Sequence, residues 1–179
     1  MDATIMIEDA KPEWPERYET EKKRLQPVFG KIALGIEHIG STAVPGLAAK
    51  PVLDLMVGVK HLSEAERLIE PLSDLGYEHV FHEAFPARRF FRKGKRRAGT
   101  HHLHIYVYKS EEWKNQLRFR DYLRAHPKVR EDYETLKRDL AKHFPHDRDS
   151  YTKGKAPYIT HIVEKAKREE QAHVQEHEE

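Results

Sequence analysis

The chain has 179 residues, of which 38% are hydrophobic, and this length is enough for one domain with a single substantial core. It contains no cysteine, which excludes a disulfide framework, a thiolate zinc site and a catalytic cysteine. The start of the chain lacks the basic residues and apolar run of a signal peptide, and no stretch approaches the roughly 20 apolar residues that span a bilayer. We therefore expect a soluble, cytoplasmic protein with no membrane partner.

The overall charge is nearly balanced, since 32 lysine and arginine residues oppose 30 acidic residues. A net charge of +2 does not by itself favour nucleic acid as a partner. Basic residues are nevertheless concentrated in the segment 88–97, namely Arg88, Arg89, Arg92, Lys93, Lys95, Arg96 and Arg97. We interpret the tip of this segment as a solvated charge run and do not expect nucleic acid as the partner.

In chain order, hydrophobic periodicity and turn residues predict short strands with helices between and after them. The strands are expected at residues 31–39, 51–59, 76–83, 88–93 and 101–108. The helices are expected at residues 13–28, 63–75, 111–125, 127–144 and 157–167. In the second helix, Ser63 and Glu66 have capping-box spacing, and Gly76 follows its end.

The predicted strands precede a wholly helical final third, and this order indicates the architecture. We expect an α+β fold in which a mixed β-sheet carries a C-terminal helical cap. Residues 1–167 are predicted to form this single domain. Residues 168–179 are nearly all charged or amide residues, a composition typical of a fraying helix end or a disordered tail.

A glycine-serine turn lies between the first two predicted strands. Gly40 can adopt backbone angles closed to other residues and lets a ligand approach the backbone. Ser41 and Thr42 add hydroxyls, and a helix N-terminus directly after them would offer free N–H groups to a phosphate. Lys50 adds a positive charge. Ordinary N-cap chemistry explains the same residues equally well when the turn is considered alone.

Asp54 favours a ligand site over ordinary N-cap chemistry, because it interrupts an apolar strand. On a strand Val52, Asp54 and Met56 share one face, so a carboxylate lies within a run of residues typical of a buried strand. A carboxylate in such a place needs a cationic partner, a metal ion or hydrogen bonds. Asp54 is therefore a candidate catalytic and metal-ligating residue.

Several motifs spread over almost the whole chain form a specific pattern. They are EHIGSTAVPGLAAKP at residues 37–51, HLH at 102–104, FRDYL at 119–123, Tyr133 with Lys137, and YTKGK at 151–155. With these motifs the chain resembles the GrpB family of small bacterial proteins, assigned to the nucleotidyltransferase superfamily of polymerase-β-like fold. The resemblance implies a Gly-Ser turn that holds triphosphate oxygens and strand carboxylates that hold the metals for attack on the α-phosphate.

The metal carboxylates are where this sequence departs from the superfamily pattern. Aligning the strand onto the usual Asp-x-Asp motif leaves Val52 or Met56 in place of the second acid. Asp54 alone would hold one metal poorly and two metals hardly at all. Two hypotheses follow: a metal-dependent nucleotidyltransferase with an undefined acceptor, and a catalytically inactive protein that binds a nucleotide or phosphorylated small molecule.

Two histidines could restore a metal site. His102 and His104 share a strand face with Tyr106 and Tyr108, opposite an apolar face. They could ligate a metal, hold a phosphate or act as a general base, although a solvated sheet face would also explain them. Imidazole is a common ligand for Zn, Mn or Ni but a poor one for Mg. With Asp54 they are the candidate catalytic and metal-ligating residues, and the expected cofactor is a divalent metal: Mg, Mn or Zn.

Cationic side chains complete the candidate site. Arg120 lies at the centre of an apolar helical stripe, so its guanidinium must meet either a carboxylate such as Asp54 or Asp121, or a ligand phosphate. Arg89 is a stronger candidate than the arginines of the charged tip. His38 either contacts the ligand or only hydrogen-bonds the turn. The candidate ligand-binding residues are His38, Gly40, Ser41, Thr42, Lys50, Arg89, Arg120, Lys137, Lys153 and Lys155.

Overall fold

The structure is a computed structural model that describes residues 4–95 and 98–178. Its strands are β1 (Gly35–Ile39), β2 (Leu53–Val59), β3 (Tyr77–Val80), β4 (Arg89–Lys95) and β5 (Ala98–Val107). Its α-helices are α1 (Glu13–Phe29), α2 (Ile69–Asp74), α3 (Glu111–Ala125), α4 (Pro127–His143) and α5 (Arg148–Glu178). Short 3-10 helices cover Gly30–Ile32, Ser41–Ala43 and Leu62–Leu68.

The five strands form one mixed sheet in the order β1-β2-β5-β4-β3. The central strands β2 and β5 run parallel, whereas every other neighbouring pair is antiparallel. In the β2–β5 register Asp54 lies beside His102, and Met56 lies beside His104. Paired residues point to the same face of a sheet, so the aspartate and both histidines share one face.

The two faces of this sheet carry different helices. On one face, residues of α1 such as Leu25 pack with Leu55 and Leu103 in the main hydrophobic core. On the other face Trp113 of α3 packs with Met56, and α3, α4 and α5 form a second core together with Val44 and Leu47. Asp54, His102 and His104 therefore point toward the helical cap.

The predicted fold class, a mixed sheet with a C-terminal helical cap, is confirmed, and several boundaries differ. The last helix begins at Arg148 and passes through Pro157, which the sequence pattern made its starting point. A proline inside a helix removes one backbone hydrogen bond, and here packing of the buried Tyr151 and Ile162 on both sides outweighs that loss. The helix also continues to Glu178, past the predicted domain limit at residue 167. Arg96 and Arg97 of the basic segment lie outside the described residues.

Candidate functional site

The centre of the candidate site is Asp54, where two histidines converge on one carboxylate oxygen. His104 Nε2 lies 2.9 Å from Asp54 Oδ1, and His102 Nδ1 lies 3.4 Å from the same oxygen. One ligand atom from each of the three residues can be chosen so that all lie within 4.8 Å of one another. The parallel pairing of β2 with β5 thus produces a cluster with the composition of a metal site, which we call the Asp/His/His cluster.

The electrostatics of this cluster suit metal ligation. Burial alone would raise the pKa of Asp54, but hydrogen bonds from His102 and His104 outweigh it and hold this pKa below its usual range. Burial also lowers the pKa of His104, and Asp54 offsets only part of that shift. At neutral pH the cluster therefore contains an ionised carboxylate beside a neutral imidazole, the protonation states in which both groups bind metals.

Gly40 brings the glycine-serine turn against this cluster. Its φ is +72°, in the region that favours glycine. A Cβ atom on Gly40 would lie 2.6 Å from Asp54 Oδ2, closer than such atoms can approach. Glycine is thus required for both conformation and space, and the turn and the carboxylate form one continuous site.

The segment after the turn is shorter than the helix expected from the sequence. Ser41–Ala43 forms a single 3-10 turn, closed by hydrogen bonds from Ala43 N–H to Gly40 O and from Val44 N–H to Ser41 O, both 3.1 Å. Val44 is extended because it precedes Pro45. The predicted helix N-terminus is therefore wrong, and the turn's anion chemistry depends on the Ser41 hydroxyl and neighbouring lysines.

Lys137 of α4 attaches the turn to the helical cap. Its side chain is buried, and Nζ donates to Ser41 Oγ at 2.9 Å and to the carbonyl of Ala48. Burial and the neighbouring charge of Lys155 together lower the pKa of Lys137 to about 7, against the attraction of Glu134. The lysine therefore holds Ser41 in place and adds positive charge behind it.

Two more lysines lie next to this turn, around the buried ring of Tyr151. Lys50 Nζ is 5.0 Å from the ring centroid and Lys155 Nζ is 4.6 Å from it. Burial and the charge of Lys50 lower the pKa of Lys155 to about 8, against the attraction of Asp54. Burial also lowers the pKa of Lys50. Together with Lys137 these lysines form the lysine group of the site.

Lys153 is not brought into this group. It is exposed, and its charge acts on Asp147 near the start of α5. Residues two apart on a helix point roughly 200° away from each other, so Lys153 and Lys155 cannot face the same site.

Arg120 is occupied by protein carboxylates. Its Nη1 donates to Glu37 Oε2 at 2.7 Å and to the carbonyl of His38 at 3.1 Å, and its Nε donates to Asp121 Oδ1 at 2.8 Å. Of the two carboxylates expected from the sequence, the structure selects Asp121 rather than Asp54. These contacts favour the structural alternative, in which Arg120 joins α3 to β1.

His38 and Thr42 support the turn from the opposite face of the sheet. His38 Nε2 lies 2.9 Å from Thr42 Oγ1, and its ring stacks on Tyr18 of α1 at 4.7 Å. Burial lowers the pKa of His38 to about 4, so the ring is neutral at physiological pH. The contacts favour the alternative in which His38 hydrogen-bonds the turn, and they use the Thr42 hydroxyl for the same purpose.

The structure places Arg88, rather than Arg89, beside the cluster. Arg89 pairs in register with Ile105 on the α1 face, where it approaches Glu66. Arg88 lies on the other side, with Nη1 3.5 Å from His104 Nδ1. The choice of Arg89 is therefore corrected, since strand alternation separates the two arginines and only the pairing of β4 with β5 shows which face meets His104.

Comparisons with known proteins relate this chain to one family. A family model described as GrpB protein matches residues 4–165. The UPF0157 protein YqkA of Bacillus subtilis is 38% identical over 155 residues, which cover 87% of this chain and 45% of YqkA. This chain thus spans about half the length of that relative.

Solved structures show the same relationship in three dimensions. The crystal structure of the conserved protein GrpB from Enterococcus faecalis superposes with a TM-score of 0.85 at 36% identity, covering 93% of this chain and 99% of that one. Cid1 in complex with its short product ApU gives a TM-score of 0.52 at 19% identity, over 76% of this chain and 43% of Cid1, a likeness of fold alone.

No helix in the described part of the chain is both long and apolar enough to cross a membrane.

The family match covers the turn, the Asp/His/His cluster and the lysine group. The chain therefore belongs to the GrpB family, with an α+β fold of polymerase-β-like nucleotidyltransferase type.

Proposed function

We propose that this protein binds a nucleoside triphosphate, or a related phosphorylated ligand, at the Gly40–Ser41 turn together with a divalent metal at the Asp/His/His cluster. The observation that carries the proposal is the contact between Gly40 and Asp54, where a Cβ would lie 2.6 Å from Oδ2. A phosphate on this turn would lie next to the ligand atoms of the cluster. The two features thus act as one site.

The surplus of positive charge supports a polyanionic ligand. Lys50, Lys137 and Lys155 surround the turn, and burial lowers the pKa of each. Asp54 attracts Lys50 and Lys155 but is itself engaged by the two histidines, and Glu134 near Lys137 is paired with Arg138 at 3.1 Å. A ligand with two or three phosphates would supply the missing negative charge.

The donor set decides which metals fit. One carboxylate and two imidazoles suit Zn²⁺ or Mn²⁺, whereas Mg²⁺ prefers oxygen ligands alone. Asp54, His102 and His104 would hold the metal, which would neutralise charge on phosphate oxygens. The hydrogen bond between His104 and Asp54 would then be exchanged for metal ligation.

A second candidate function is ligand binding without phosphoryl or nucleotidyl transfer. It is favoured by the absence of a second carboxylate at either candidate position, Val52 or Met56, of which Met56 is fully buried beside His104. A single carboxylate in β2 gives poor support to the two-metal chemistry of the superfamily. In this case the turn and lysines bind the ligand, and binding does not require metal.

Isothermal titration of ATP, GTP, CTP and UTP with Mn²⁺, Zn²⁺, Mg²⁺ or EDTA tests the first proposal. We expect nucleotide binding to be at least about tenfold tighter with Mn²⁺ or Zn²⁺ than with EDTA, a difference of about 1.4 kcal/mol in binding free energy. Asp54→Asn should abolish this metal dependence, whereas Asp132→Asn, on the exposed side of α4, should not alter it. Absence of nucleotide binding with every metal would refute the proposal.

Pyrophosphate release over a mixture of acceptors separates the two candidates. Release that is lost in Asp54→Asn establishes transferase chemistry and excludes the binding-only alternative. Binding of equal strength in EDTA and in Mn²⁺, without any release, establishes the alternative.

A further inference from the structure

We propose that the loop between β3 and β4, residues 81–88, forms a second subsite that binds the base and phosphate of a nucleotide unit. We call this segment the aromatic loop. The proposal rests on the proposed function, because it places a second ligand group beside the same Asp/His/His cluster.

The aromatic loop exposes large rings to solvent. Phe81 is 78% exposed and Phe85 is 55% exposed, which is unusual for side chains of this size. They line a cavity of about 260 Å³ together with His82, Glu83, Pro86, Arg88 and Arg89. This volume suits one planar ring system better than a peptide segment or a helix.

Arg88 gives this surface its charge. Its guanidinium lies between the rings of Phe85 and Phe90, 4.8 Å from each centroid. Within the described residues no carboxylate forms an ion pair with it, and its buried Nε has no hydrogen-bond partner. A guanidinium held between two rings and lacking an anion is suited to bind a ligand phosphate.

Aromatic rings connect the loop to the cluster without interruption. The Phe90 ring centroid lies 5.1 Å from that of His102 and 5.2 Å from that of His104. Arg88 approaches His104 from the same side. A ligand stacked on the loop would thus reach the cluster through its phosphate or ribose.

The position of the loop indicates a second ligand group rather than the first. In the strand order β1-β2-β5-β4-β3, the cluster is central, the turn follows β1, and the aromatic loop joins β3 to β4 at the opposite edge. The turn with its lysines and the aromatic loop therefore flank the cluster from two sides. This arrangement fits one phosphorylated ligand on each side of the metal.

Ligand-observed NMR titration in EDTA tests the subsite separately from metal-dependent triphosphate binding. The probes are AMP and a single-stranded hexanucleotide of adenylate, at low salt. We expect saturation transfer to the base protons. The double variant Phe81→Ala/Phe85→Ala and the single variant Arg88→Gln should each weaken binding at least about fivefold, since base stacking and charged contacts are worth this much.

Matched controls are the exposed side chains Leu34 and Arg67, whose variants Leu34→Ala and Arg67→Gln should leave the affinity unchanged. Arg88→Lys keeps the charge and should recover only part of the loss. Binding of AMP identifies a free nucleotide, and binding of the hexanucleotide alone identifies a strand end; either supports the subsite. Binding of neither probe, or an equal loss in the controls, overturns it, whatever the outcome of the metal titrations.

Discussion

Two partly buried clusters of charged side chains lie on opposite faces of one sheet, and they differ in how their charges are balanced. On the α1 face, Glu21 accepts hydrogen bonds from Tyr77 Oη at 2.9 Å, from Lys93 Nζ at 2.8 Å and from the half-exposed Arg24 Nη1 at 3.3 Å, with His101 nearby. On the cap face, Asp54 lies against two histidines, and the lysine group surrounds the adjacent turn.

The comparison separates a structural cluster from a ligand site. Burial raises the pKa of Glu21, but Lys93 and Tyr77 lower it by more, so the carboxylate and the ammonium satisfy each other. The lysine group has no such internal balance, and burial lowers the pKa of each lysine instead. Charges that balance need no further partner, whereas a surplus of buried cations indicates an anionic ligand.

The largest effect is expected from a substitution that breaks the balanced cluster around Glu21. Glu21→Ala leaves Lys93 and Tyr77 without their shared acceptor and should lower the free energy of unfolding by about 3 kcal/mol. Urea denaturation measures the change, with Glu19→Ala on the exposed side of α1 as control. A loss as small as that of the control would show that the Glu21 pair contributes little.

The next largest effect is a change in metal affinity, and it compares two histidines of β5. His104→Ala removes a ligand of the Asp/His/His cluster and should weaken Mn²⁺ affinity about 100-fold. His101→Ala alters the balanced cluster on the other face and should leave that affinity unchanged. Titration calorimetry with the metal compares the two, and equal losses would mean that the faces are not functionally distinct.

A smaller effect tests the lysine group with two residues of α5. Lys155→Ala should weaken binding of the phosphorylated ligand about tenfold, or ~1.4 kcal/mol, because a charge-assisted contact is lost. Lys153→Ala should change it less than about twofold, since Lys153 points away from the site. The affinities are measured by calorimetry, and a larger loss for Lys153→Ala would contradict the assignment of Lys155 rather than Lys153 to the site.

The last prediction concerns pH, and its effect is the smallest of the four when taken over one pH unit. The pKa of Lys137 is about 7 when folded, below its ordinary 10.5, so between these values the unfolded chain binds more protons. Relative to Lys137→Met, the wild type should therefore gain about 1 kcal/mol per pH unit above about pH 7. Below about pH 7 Lys137 is charged in both the folded and the unfolded chain, and the free-energy cost of burying that charge is fully present. Denaturation at several pH values measures the difference, and a difference that does not vary with pH would exclude a depressed pKa.

Much of this site follows from local patterns. Strict alternation along β5 placed His102 and His104 on one face, and the glycine-serine turn with Asp54 carried a specific family pattern, which the family match confirms. The wrong predictions concern helix boundaries, where one local pattern is compatible with two structures. Pro157 resembled a helix start but lies inside a helix, and the turn after Gly40 resembled a helix but closes as one 3-10 turn.

The cationic residues were harder to assign because a charge in a sequence does not show its partner. Arg120 needed an anion on sequence grounds, and only packing of α3 against β1 identified Glu37 and Asp121. Arg89 is the arginine predicted for the site, and the structure places its neighbour Arg88 beside His104 instead, because the two occupy opposite faces. Which face of β4 lies beside His104 depends on the pairing of β4 with β5, and a local sequence pattern does not specify that pairing.

The fold class, the family and the alternation of polar and apolar faces can be predicted from the amino-acid order, because they depend on periodicity and on motifs within short segments. Three contacts are visible only in the folded chain: Asp54 meets His102 and His104, Gly40 packs against Asp54, and Arg88 faces the cluster. These contacts join segments far apart in the chain, and their geometry is set by strand order and register.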